Sequence, residues 1–220
     1  MWRVMREIQM KRTLNIAIAM SILGAATIAN AQSLKFTGTQ LGSVNSGTIN
    51  VNSNSTTVGM GALTFNTGSG SIVTYCADAL SPLNSNFNPY TVGAVNMTNG
   101  TGLALAAKIM ATSFSSATNA DQQQGLQLAI WDALYDNGAS FDGSTGNLKV
   151  TSGVGATALG FASNYFTAGK NSGITSGVEL FSSSGQGGQS QLHIVPEPAS
   201  LAVLGLGALG LIRRRKLNKK

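Results

Sequence analysis

At 220 residues, 43% apolar and with a single cysteine, the chain has room for one domain with a real core and none for an internal disulfide framework. Its formal charge of +6 and pI near 9.7 come from the two ends. Arg3, Arg6, Lys11 and Arg12 lie at the start and Arg213, Arg214, Arg215, Lys216, Lys219 and Lys220 in the tail. Between them Lys35, Lys108, Lys149 and Lys170 meet Asp78, Asp121, Asp132, Asp136, Asp142 and Glu179. That body is net −2, so the basic whole-chain balance is no ground for a nucleic-acid partner.

Lys11 and Arg12 precede the apolar run Leu14 to Ile28 and the small-residue site Ala29-Asn30-Ala31. A charged start, an apolar run and an A-x-A site in this order form a secretory signal peptide over residues 1–31. Cleavage is expected after Ala31, with Met10 as an alternative start. The Sec translocon and signal peptidase are the implied first partners, and the body, residues 32–194, is exported.

Residues 33–100 are rich in Gly, Ser, Thr and Asn, with short alternating runs such as "LKFTGTQL", "GTINVN", "GALTFN" and "SIVTYC". Runs of this length separated by turn-forming clusters predict strands joined by tight turns. "NSNFNPYTV" predicts a loop leading to a strand over Tyr90 to Val95. The period then lengthens. "GLALAAKIMATSF" predicts a helix over Gly102 to Phe114, and "ADQQQGLQLAIWDALYDNG" a second over Ala120 to Gly138, capped near Asn119 or Asp121 and closing at Asn137-Gly138. A third is predicted over Gly155 to Ala168, after which "GVELFS" and "SQLHIV" return as strands. The expected fold class is α+β: a β-sandwich or barrel-like sheet with about three helices, plus an N-terminal signal helix and a C-terminal membrane helix.

On a helical wheel, Leu126, Ala129, Ile130, Ala133 and Leu134 share one buried stripe, and Gln127 and Trp131 form an i, i+4 ridge at its edge. This places a glutamine under a large aromatic. Elsewhere the exported body holds one unpaired thiol, Cys76, an unusual thing for a secreted chain to keep.

The last segment is "VPEPASLAVLGLGALGLIRRRKLNKK". Its apolar part, Ala199 to Ile212, is roughly 21 Å of helix, short against a hydrocarbon core of about 30 Å. The cluster Arg213, Arg214 and Arg215 fixes the end of the chain on the cytoplasmic side. "GLGALG" matches a dinucleotide-binding pattern but lacks the preceding strand and downstream acid, so its glycines read as small residues of a membrane helix. No cofactor motif is present, and one Cys with one His gives no structural metal site.

Two resemblances follow. Pro196-Glu197-Pro198, the apolar segment and the arginine cluster, residues 195–220, resemble the PEP-CTERM sorting signal of Gram-negative bacteria. That implies a transient stay in the inner membrane, cutting by an exosortase-type transpeptidase, and delivery to the cell surface or extracellular matrix. "YC" at Tyr75-Cys76 and "LQLAIW" at Leu126 to Trp131 resemble the two motifs of bacterial thioester domains, with Asp78, "NPYTV" and "LAIWDALYDNG" extending the similarity.

The thioester resemblance implies an internal bond between the Cys76 sulfur and the Gln127 side-chain carbonyl, formed with loss of ammonia. A thiolate is the best side-chain nucleophile near neutral pH, and fixed placement removes much of the barrier. Trp131 and Tyr75 are the expected shield against water, and Asp78 or Asp132 the available proton-transfer group. The implied activity is a single covalent attachment to an amine or hydroxyl on a surface or matrix target, adhesin-like and without turnover. The alternative is a non-reactive component of an exopolysaccharide matrix or biofilm, sorted by the same tail. A thiol hydrolase using Cys76 and His193 is disfavoured, because nothing brings the base to the nucleophile.

Overall fold

The computed structural model describes residues 30–138, 140–183 and 188–195. The expected signal helix and the sorting tail, including Pro196, Glu197, Pro198, Arg213, Arg214 and Arg215, lie outside the described residues. Among those described, no helix is long and apolar enough to cross a membrane.

The elements in chain order are β1 (Asn30–Thr39), β2 (Asn45–Val51), β3 (Asn54–Met60), β4 (Leu63–Asn66), β5 (Ser71–Cys76), β6 (Asn88–Ala94), α1 (Gly102–Ser113), α2 (Ala120–Tyr135), β7 (Leu148–Ser152), α3 (Ala156–Lys170), β8 (Val178–Ser183) and β9 (Gln191–Ile194). A short 3-10 turn, Phe114–Ser116, follows α1. Six strands close into an antiparallel barrel in the order β1-β4-β5-β9-β8-β6, and β3-β2-β7 form a separate sheet. The fold is therefore α+β with a barrel and three helices, as the alternating runs predicted. β3 and β7 were not anticipated. "NSTTVGM" and "LKVTS" each hold few apolar residues, and both are edge strands paired only to β2. The β2–β3 hairpin turns on Asn52 and Ser53, both at positive φ (49° and 70°), the backbone that two-residue hairpin turns require.

β1 begins at Asn30, so the expected cleavage point after Ala31 falls within it. A chain starting at Gln32 keeps the pairs Gln32↔Tyr90, Ser33↔Pro89 and Leu34↔Asn88.

The barrel is filled by Leu34, Leu63, Phe65, Tyr90, Val92 and Phe181. A larger core lies outside it, between barrel, small sheet and helices. α2 runs through the middle of that core. Its start is fixed by a capping box in which Asn119 accepts from the Gln122 backbone and Gln122 reaches back to the Asn119 backbone.

Every residue of α2 from Gln123 to Ala133 is buried. This corrects the wheel, which placed Gln127 and Trp131 at the edge of one apolar stripe; α2 is enclosed on all sides, and each face has a partner. Helix α3 comes so close that a Cβ on Gly125 would stand 2.7 Å from the Ala158 carbonyl oxygen. Only glycine leaves room for that approach.

Candidate functional site

Strand β5 alternates its faces, sending Ile72 to the barrel core and Val73 and Tyr75 to the helical core. Cys76, the last residue of the strand, departs from that alternation and is buried with the helical core as Tyr75 is. Its main-chain groups meet a break in the sheet. Leu63, the first residue of β4, pairs with Thr74, and by register Gly61 would stand opposite Cys76. The chain has already turned away there.

The carboxamide of Gln127 fills the gap. Cys76 N donates to Gln127 Oε1 at 3.0 Å, and Gln127 Nε2 donates to Cys76 O at 2.8 Å, across 51 residues of sequence. One turn earlier, Gln123 Oε1 accepts from Ala62 N at 3.3 Å just before β4, and its Nε2 donates to Gln40 Oε1 at 2.9 Å. α2 thus extends the barrel's hydrogen bonding with a row of glutamines. Neutral amides on a buried helix are tolerated because each finds a partner: Gln123 and Gln127 meet backbone groups, and Gln124 accepts from Asn45 Nδ2 and donates to Met60 Sδ.

The sulfur of Cys76 has its own contacts. Its thiol donates to Asp78 O at 3.0 Å, and Asp78 N donates to it at 3.2 Å. Burial pushes the thiol pKa far up, the Asp78 backbone and the Trp131 side chain pull it back, and the Asp78 charge raises it further. Trp131 Nε1 is itself buried without a partner that meets hydrogen-bond geometry.

Asp78 serves the turn that follows. Its Oδ1 accepts from Leu80 N and Ser81 N at 3.1 and 3.3 Å, and its Oδ2 accepts from the Ser81 hydroxyl. Ala79 N donates to Tyr135 Oη at 3.0 Å, Ala77 N to Ser190 O at 2.8 Å, and Gln189 Nε2 to Ser81 O at 3.0 Å. The loop after Cys76 is therefore tied to α2 and to the approach to β9.

Cys76, Gln127 and Gln189 line a pocket of about 430 Å³. Its walls are apolar or neutral, with Phe36, Leu63, Leu80 and Leu83 prominent, and no charged side chain lines it among the described residues. Cys76, only 3% exposed, lines this opening.

The expected site residues separate in space. Cys76 and Gln127 come together, with Trp131 one turn further along α2 and Asp78 against the sulfur. Tyr75 closes the helical side, its ring edge-on to Phe114 at 6.2 Å; burial, with Tyr165 adding to it, raises its phenol pKa. Asp132 is not part of the site. It accepts from Asp142 N at 3.4 Å, on another face of α2. Burial raises its carboxyl to about 6, opposed by that bond and reinforced by the Asp136 and Asp142 charges. His193 Nδ1 sits 3.0 Å from Val73 O with its ring against Phe181, which leaves no His–Cys pair.

Sequence reasoning missed Gln189 and Gln191. Gln191 stands opposite Cys76 in the ladder, its Oε1 accepting from Thr74 Oγ1 at 2.9 Å and its Nε2 lying 3.2 Å from Gln189 Oε1. The signal available was a pair of glutamines at and just before the start of a strand that otherwise reads as core. No group of three or more metal-ligating side chains exists among the described residues.

Residues 195–216 match the PEP-CTERM protein-sorting motif. No curated protein matches the chain. Among solved structures, the chain is similar to an N-terminal thioester domain of a surface protein from Clostridium perfringens, at 12% identity and a TM-score of 0.41, covering 60% of this chain and 86% of that one.

Proposed function

We propose that this is an exported protein, sorted by its tail to the cell surface or extracellular matrix, whose body forms an internal thioester between Cys76 and Gln127 and uses it once to attach covalently to a partner. The observation that carries the reading is the reciprocal pair between the Gln127 carboxamide and the Cys76 main chain. It holds the amide carbon beside the residue that bears the only thiol.

The Cys76 N–H already donates to Gln127 Oε1, which polarises the carbonyl and is placed to stabilise an oxyanion there. Attack of Sγ on Cδ forms the C–S bond and breaks the C–N bond. The thiol proton goes with the departing nitrogen, which leaves as ammonia. A later amine or hydroxyl entering the pocket attacks the same carbon and releases the thiol. The neutral walls limit water until that step. Exosortase is the partner implied by the sorting motif, and the amine-bearing target belongs to the surface or matrix to which the protein is delivered.

Intact mass of the mature protein tests this. The expected mass is one ammonia short, the deficit vanishing in both Cys76→Ala and Gln127→Ala, with methylamine adding to Gln127. A full mass with a titratable thiol would overturn it.

One observation favours a second reading, a non-reactive matrix component. Gln123 makes an equivalent bond to Ala62 N with no cysteine beside it, so a buried glutamine at this barrel end has a structural use as well. The same mass measurement separates the two.

A further inference from the structure

Trp131 entered the argument as a shield, yet its polar edge is unexplained. A buried indole N–H ordinarily finds an acceptor, and this one, on a side chain 1% exposed, has none. Leaving such a donor unpaired costs about 1–3 kcal/mol, a cost a phenylalanine would avoid while shielding equally well. Trp131 lies one helical turn after Gln127, whose carboxamide holds the Cys76 main chain at 3.0 and 2.8 Å, so its indole edge stands on the Cys76 side of α2 and favours negative charge on that sulfur.

We propose that the Trp131 Nε1–H, together with the Asp78 main-chain N–H, forms a two-donor seat for negative charge on the Cys76 sulfur. The proposal rests on the thioester reading and assigns Trp131 a part in its chemistry. A neutral thiol or thioester sulfur is a weak acceptor, whereas a thiolate is a strong one. The indole is therefore unsatisfied in the resting state and gains its partner as charge develops. A donor paired only in the transition state accelerates the step, because its stabilisation is not already present in the ground state.

In capture, the amine lone pair attacks Gln127 Cδ, the Cδ–Sγ bond breaks, and its electron pair passes to Sγ between the two N–H groups. A proton from the amine nitrogen ends on Sγ by way of solvent, leaving an amide and a free thiol. Gln127 Oε1 stays on the Cys76 N–H throughout. In formation the same seat stabilises the attacking sulfur. Asp78 contributes only its backbone, since its carboxylate is engaged by Leu80, Ser81 N–H and the Ser81 hydroxyl.

Two measurements test this on the exported protein. Replacing Trp131 by benzothienylalanine keeps the ring shape and substitutes sulfur for the N–H, and methylamine uptake followed by mass should slow about tenfold or more. Uptake at the unchanged rate overturns the proposal. Independently, the Trp131 indole proton, identified in the NMR spectrum by its loss in Trp131→Phe, should shift in Gln127→Ala protein when Cys76→Ala is added. An indole proton indifferent to the sulfur overturns the seat. This second arm needs no thioester, so a full-mass wild-type protein would sink the thioester reading while the indole shift still decides this one.

Discussion

Opening the proposed thioester has a mechanical consequence that can be calculated. The bond would join residues 51 apart. A cross-link of that span restricts the unfolded chain by about 4 kcal/mol on the loop-entropy account used for disulfides. For a domain of this size each kcal/mol corresponds to about 2–4 °C in melting temperature, so breaking the link is worth roughly 8–16 °C.

Methylamine makes the comparison clean. It leaves an N-methyl amide on Gln127, which keeps a carbonyl for the Cys76 N–H and an N–H for the Cys76 carbonyl, so the native contacts survive and only the cross-link is lost. The assay is a thermal melt of intact and methylamine-treated protein, each with its mass recorded. Cys76→Ala should melt close to the treated sample, and a reductant should have no effect on the intact one. If protein carrying the adduct on Gln127 melts with the intact sample, the cross-link contributes nothing and the loop-entropy reasoning is refuted.

Two further outcomes follow from other parts of the fold. Asp132 holds its proton up to about pH 6 in the folded state because of burial, whereas an unfolded aspartate loses it near pH 4. The native state therefore binds more protons between those values. Stability from this group is greatest below about pH 4 and falls as pH rises through 6. Asp132→Asn should accordingly raise urea-unfolding stability more at pH 8 than at pH 4, and an equal change at both would contradict the buried-carboxyl account. Gly125→Ala should lower the melting temperature despite alanine's better helix propensity. The added methyl meets the Ala158 carbonyl and Phe161 Cβ at 2.7 Å, an overpacking cost of about 1–3 kcal/mol, and an unchanged melt would show the α2–α3 contact to be looser than described.

What the sequence by itself determined is local. Alternation in "SIVTYC" and "GALTFN" set strands because a pleated backbone turns successive side chains to opposite faces. Asn119 and Gln122 set the start of α2 because a cap is completed within one turn. The tail's order of Pro-Glu-Pro, apolar run and arginines is likewise contained in one short segment, and it is there that the sorting motif matches. The two short motifs around Cys76 and Gln127 named the residues that meet.

What only the tertiary structure decided depends on contacts between distant segments. β3 and β7 exist because β2 offers each an edge, a fact absent from their own residues. The wheel gave α2 one apolar face, but the barrel, the small sheet and two helices enclose it, so Gln123, Gln124 and Gln127 are buried and each is held, Gln123 and Gln127 by backbone groups and Gln124 by the Asn45 and Met60 side chains. The same closure leaves Cys76 opposite the chain just before β4 begins and puts the Gln127 amide there instead. It also carries Asp132 away from the sulfur and leaves the Trp131 N–H beside it without an acceptor. Periodicity reports which side a residue faces, whereas the partner waiting on that side is fixed only when strands and helices far apart in the chain are brought together.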